Sequence, residues 1–115
     1  MIKLLGIAGS IRRGSHNLAL LRAVGAQLPA GAALTVFERL AEIPTFDPDY
    51  PGEPEPVAAW KAAIAAADGL VIATPEYNYS VPGVLKNAID WASRPAPTSP
   101  LRGKPVGLVS AAAGM

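Results

Sequence analysis

Four short apolar runs, the first three each followed by a segment of helical spacing, constrain this chain more than any other feature. Leu4-Leu5-Gly6-Ile7-Ala8, Leu34-Thr35-Val36-Phe37, Leu70-Val71-Ile72-Ala73-Thr74 and Val106-Gly107-Leu108-Val109-Ser110 have strand length and few polar interruptions. That is the pattern of strands buried on both faces. Between them, Leu18, Leu21, Val24 and Leu28 recur at helical spacing, as do Val57, Trp60, Ile64 and Ala67, and then Leu85, Ala88, Ile89 and Ala92. Pro29-Ala30-Gly31 ends the first helix, and Pro56 and Pro82 suit the opening turns of the next two. Strands alternating with helices imply a parallel α/β sheet, with right-handed crossovers that place helices on both faces.

Composition narrows the class. A chain of 115 residues forms one domain, residues 1–115, large enough to bury roughly two-thirds of its unfolded surface. No apolar run approaches the roughly 20 residues that cross a bilayer, and the strand-length run after Lys3 does not resemble a signal peptide. With no cysteine, there is no disulfide framework, thiolate metal site or cysteine nucleophile. A cytoplasmic protein with no membrane partner is the expectation. The net charge of +1 supplies no field for nucleic acid, and a single histidine cannot build a multi-histidine metal centre. The 12 prolines concentrate around residues 44–56 and 95–105, which marks those stretches as loops.

Chemistry-bearing residues gather after the first and third strands. Gly9-Ser10-Ile11-Arg12-Arg13-Gly14-Ser15-His16-Asn17 leads from a strand into a helix. Free N–H groups of a helix's first turn and the helix dipole make such a place suited to an anion. Ser10, Ser15 and Asn17 add side-chain donors, and Arg12 adds a forked, permanently charged one. The segment is a candidate phosphate cradle, although Ser15 would serve equally as a helix N-cap. Arg13 and His16 fit a solvated surface. The second loop, Pro75-Glu76-Tyr77-Asn78-Tyr79-Ser80, precedes the third helix. In open parallel sheets ligands sit at the carboxyl ends of strands where the strand order reverses, and these two loops belong to strands expected to lie side by side. Trp60 and Trp91 fall on or beside apolar helix faces as packing residues, and Tyr50 lies in the proline-rich connection as a lid or interface residue.

The first loop, together with Pro75-Glu76-Tyr77-Asn78-Tyr79-Ser80-Val81-Pro82-Gly83-Val84-Leu85-Lys86-Asn87-Ala88-Ile89-Asp90-Trp91, resembles the NAD(P)H-dependent FMN reductase family. That family includes quinone, azo-dye and chromate reductases. The resemblance runs across the whole chain and implies a flavodoxin-like three-layer sandwich with strand order 2-1-3-4. It implies FMN as cofactor, NAD(P)H as co-substrate, and a quinone, flavin or similar small molecule as electron acceptor. Carried onto this sequence, it assigns Ser10, Arg12, Ser15 and Asn17 to the FMN phosphate. Pro75, Glu76, Tyr77 and Asn78 would lie along the isoalloxazine ring, and Ser110 would approach it from the fourth strand. No catalytic residue in the strict sense is implied, because the cofactor carries the hydride chemistry. A homodimer or tetramer is implied as well.

The family's fold has a fifth strand and a closing helix beyond the fourth-strand loop, so the resemblance leads one to expect a fragment of a longer reductase with an open fourth strand. A flavodoxin-type electron carrier and an inactive fragment are the alternatives. A dinucleotide-binding Rossmann unit, with Glu38 holding a ribose, fits less well. The glycines at 6, 9 and 14 lack G-x-G-x-x-G spacing.

Overall fold

The structure is a computed structural model that describes residues 1–9, 16–74 and 82–110. The expected alternation is present. β1 (Ile2–Ala8), α1 (His16–Ala26), β2 (Ala32–Val36), α2 (Glu55–Ala66), β3 (Gly69–Ala73), α3 (Gly83–Ala92) and β4 (Val106–Val109) follow in order. All strand pairs are parallel, and the sheet order is β2-β1-β3-β4. This is the flavodoxin-like three-layer arrangement expected from the sequence.

Strand register decides what faces what. Leu5 pairs with Leu70 and Ile7 with Ile72, so these four point to one side of the sheet. There they meet Val57, Trp60 and Ile64 of α2 and Leu85, Ala88 and Trp91 of α3 in one buried cluster. The Trp60 indole N–H donates to the Ala88 carbonyl at 2.8 Å and so ties α2 to α3 inside that layer. The opposite face carries Leu4, Gly6 and Leu34, and α1 covers it through fully buried Leu21. A Cβ on Gly6 would sit 2.9 Å from Leu34 Cδ2 and 3.4 Å from Leu21 Cδ2. The missing side chain is what lets these two leucines close over β1. β4 is the outer strand on its side among the described residues, with Val106 and Leu108 exposed.

Element ends shift modestly from the sequence expectation. The helical stripe through Leu28 predicts a longer α1, yet the helix stops at Ala26. Pro29 is the cause, since a residue before proline is pushed out of the α region. The turn that follows uses Gly31 at φ +91°, a conformation that favours glycine. β2 starts earlier than Leu34, because Ala32 and Ala33 already pair with Ile2 and Lys3.

The proline-rich connection between β2 and α2 is a clasped loop. Arg39, near its start, donates to Glu42 at 3.0 Å and to Glu55, the first residue of α2, at 2.6 Å. Its middle is fastened to α3. The Asn87 amide donates to the Pro44 carbonyl at 2.8 Å, and its oxygen accepts the Phe46 N–H at 2.7 Å. The Trp91 indole N–H adds a second bond to the Pro44 carbonyl at 2.7 Å. A long connection thereby becomes a compact wall of the molecule.

Candidate functional site

The site is framed where β1, β3 and β4 end together. Ala8 pairs with Ala73, and Ala73 pairs with Val109. Beyond the strands the ladder continues for one more step. The Gly9 N–H donates to the Ala73 carbonyl at 2.8 Å, and the Thr74 N–H donates to the Val109 carbonyl at 3.1 Å. Since β1 connects outward to β2 on one side while β3 lies on its other side, the crevice between β1 and β3 is the reversal point of the sheet.

Gly9 and Thr74 touch across this crevice. A Cβ built on Gly9 would lie 2.4 Å from Thr74 Oγ1, 2.7 Å from Thr74 Cβ and 3.1 Å from Leu85 Cδ2. Only glycine fits there, and the segments that follow β1 and β3 therefore depart from one tight contact. Leu85 belongs to the first turn of α3, whose Leu85 and Lys86 N–H groups both donate to the Pro82 carbonyl at 3.1 Å. α1 also begins at this edge, with His16 exposed and Asn17 buried at 3 % exposure in its first turn.

The nine residues expected at the site divide as follows. Asn17 lies buried at the start of α1 and has an interaction partner. Ser110 is exposed immediately after β4. Ser10, Arg12 and Ser15, and likewise Pro75, Glu76, Tyr77 and Asn78, lie outside the described residues. The described strand and helix ends that flank them converge on one edge. Thr74 and Asn87 escaped the sequence reading. Thr74 sits at the end of an apolar run where a threonine draws no notice. Asn87 carried a signal in its spacing, because it lies one helical turn before Trp91 and therefore on the same side of α3.

Ion pairs hold several of the described charged residues near this edge. The Arg39 guanidinium, through its hydrogen bonds, holds the Glu55 carboxyl below its ordinary 4.5, and Glu55 and Glu42 raise the already high Arg39 value further. Lys86 pairs with Asp90 at 2.8 Å along α3. Among the described residues no group of His, Cys, Asp or Glu is placed to hold a metal ion, and no helix is long and apolar enough to cross a membrane. A crevice closed by Gly9 and flanked by two helix starts has the polarity to accept a phosphate-bearing group.

Comparison with known proteins gives this architecture its family. Residues 2–115 match the model of the NADPH-dependent FMN reductases. The chain belongs to that family. It is 48% identical over 115 residues to an NAD(P)H-dependent FMN reductase of Pseudomonas aeruginosa, covering 98% of this chain and 61% of the relative. It is 46% identical over 108 residues to a quinone reductase of Escherichia coli, covering 91% of this chain and 57% of the relative. The flavoenzyme NAD(P)H:(acceptor) oxidoreductase of Paracoccus denitrificans superposes with a TM-score of 0.91 at 30% identity, over 100% of this chain and 63% of that one. The chain thus spans about six-tenths of the length of the relatives it matches.

Proposed function

We propose that this chain carries the FMN site of an NAD(P)H-dependent reductase, which takes hydride from NAD(P)H and reduces a small acceptor such as a quinone or free flavin. The observation behind the reading is the Gly9–Thr74 contact at the reversal point of the sheet. The two motif-bearing segments start from this contact, which supports a cofactor bridging them. Membership of the FMN reductase family supports the same conclusion, as does the likeness to quinone and FMN reductases.

The residues present fit FMN. Gly9, having no side chain, lets Thr74 and Leu85 close against the end of β1, and α1 begins directly after the segment that would hold the phosphate. In this reading Ser10, Ser15 and Asn17 donate hydrogen bonds to the phosphate, and Arg12 neutralises it with a forked guanidinium. Pro75, Glu76, Tyr77 and Asn78 flank the ring, and main-chain N–H groups there stabilise negative charge on its pyrimidine side. Ser110 approaches from the end of β4. FMN, when bound, supplies the hydride-accepting chemistry. The protein binds, orients and shields, and no side chain needs to act as acid or base. The reading includes a cytoplasmic setting, where NAD(P)H is supplied, and a homo-oligomeric assembly.

An FMN titration of the purified chain, followed by quenching of flavin fluorescence, tests this directly. One-to-one saturation is expected, with NAD(P)H oxidation only when FMN is present. Arg12→Ala is expected to weaken FMN binding by about 1.5–3 kcal/mol, the value of a hydrogen bond to a charged group. Unchanged affinity in that variant refutes the phosphate assignment. A folded chain that binds no FMN refutes the whole reading.

A further inference from the structure

Away from the crevice, the β2–α2 connection encloses a second cavity of about 330 Å³, bounded by residues 46–53, Lys61 of α2 and the end of α3. Asn17 and Ser110, the described residues among those assigned to FMN, do not line it. One wall is aromatic. Phe46 and Tyr50 stand nearly perpendicular to the Trp91 indole, at centroid separations of 5.1 and 6.1 Å and interplanar angles of 88° and 81°. Tyr50 is 45% exposed and marks the mouth. Because Asn87 and Trp91 fasten Pro44 and Phe46 to α3, the wall is formed before any ligand arrives.

Among the described residues, the charges that line the cavity cancel. Lys61 is paired with Glu53 at 2.6 Å and also donates to the Arg94 carbonyl at 2.6 Å. Asp47 accepts the Asp49 N–H at 2.9 Å. Arg94 also lines the cavity, and its guanidinium has no carboxylate partner among the described residues. With two cations and two carboxylates, an ionic ligand meets as much repulsion as attraction. A neutral ring with a carbonyl oxygen gains aromatic contact together with an unused charged donor.

We propose that this cavity binds an uncharged, planar aromatic carbonyl compound of quinone type. Its ring lies against Phe46 and Tyr50, and a carbonyl oxygen accepts from the Arg94 guanidinium. The volume lies at the low end of the roughly 300–1,000 Å³ usual for ligand pockets, which suits one or two rings. The choice of a quinone rests on the function proposed above, whereas the pocket and its polarity do not. Binding here is a docking step in which no electron or bond moves.

The test is a titration of the FMN-saturated chain with menadione (2-methyl-1,4-naphthoquinone) in the absence of NAD(P)H, read by ¹H–¹⁵N NMR. The chain has no cysteine for the quinone to alkylate. The Trp91 indole and Gly52 amide resonances are expected to shift saturably. Arg94→Gln is expected to weaken binding about tenfold and Tyr50→Ala several-fold. Both residues are exposed, and neither change is expected to alter FMN affinity. The proposal is overturned if neither resonance moves, or if both variants bind menadione as the parent does. Tighter binding of anthraquinone-2-sulfonate than of menadione overturns the neutral ligand class. If the chain fails to take up FMN, the flavin reading falls, and the same titration of the FMN-free chain still decides the pocket.

Discussion

Gly9→Ala probes the crevice at its tightest point. The new methyl would sit 2.4 Å from Thr74 Oγ1 and 2.7 Å from Thr74 Cβ, whereas ordinary contacts begin at about 3.5 Å. The ends of β1 and β3 must therefore separate by about 1 Å, or the Thr74 side chain must turn away. Overpacking of this kind costs about 1–3 kcal/mol, and urea unfolding should show a loss in that range. The loss in FMN affinity should be about tenfold, since a preorganised site that must be re-formed gives up part of its binding energy. Flavin-fluorescence titration well below the unfolding midpoint separates the two effects. Two controls sharpen the result. Thr74→Gly in the Gly9→Ala background removes the obstructing atoms and should restore part of both losses. Gly31→Ala strains a turn at φ +91° with open space around it, so it should cost stability and leave FMN affinity unchanged. If Gly9→Ala loses stability but binds FMN like the parent, the cofactor does not sit at this crevice. If it loses neither, the packing argument itself is wrong.

Other perturbations report on the scaffold. Trp60→Phe removes the bond to the Ala88 carbonyl and part of a side chain that is 1% exposed; a loss of about 2–3 kcal/mol in urea unfolding is expected. Asn87→Ala frees the Phe46 N–H, so hydrogen exchange at that amide should quicken, with a cost of about 1–2 kcal/mol. Arg39 depresses the Glu55 carboxyl in the folded state. Its contribution is therefore present above the unfolded value and lost as pH falls through the lower folded one. Thermal melts should show a small advantage of the parent over Glu55→Gln at pH 7, shrinking below about pH 4.5 and in high salt, because the pair is exposed. An advantage that grows on acidification would contradict the assigned sign.

The architecture was legible in the sequence because parallel strands buried on both faces run as unbroken apolar stretches, while helices repeat every three or four residues. Leu70-Val71-Ile72-Ala73 and the stripe Val57, Trp60, Ile64 behave as that logic requires. The glycine at 9 announced a loop but not its reason, since the contact with Thr74 joins positions far apart in the chain. Tertiary side-chain-to-backbone bonds leave no periodic trace either. Residues 44–54 carry prolines enough to exclude helix, yet nothing in their order states that Asn87 and Trp91 hold them. The spacing of those two on α3 shows only that they share a face; the identity of what they bind came from the fold. This asymmetry has a physical root. Secondary structure is chosen by local pattern and burial, whereas a site is made by a few distant groups brought together. The crevice and the aromatic cavity are both of that kind. Each depends on α3, whose first turn packs Leu85 against Gly9 and whose last turns carry Asn87 and Trp91. Displacing α3 should therefore disturb FMN binding and menadione binding together, whereas Arg94→Gln should disturb only the second.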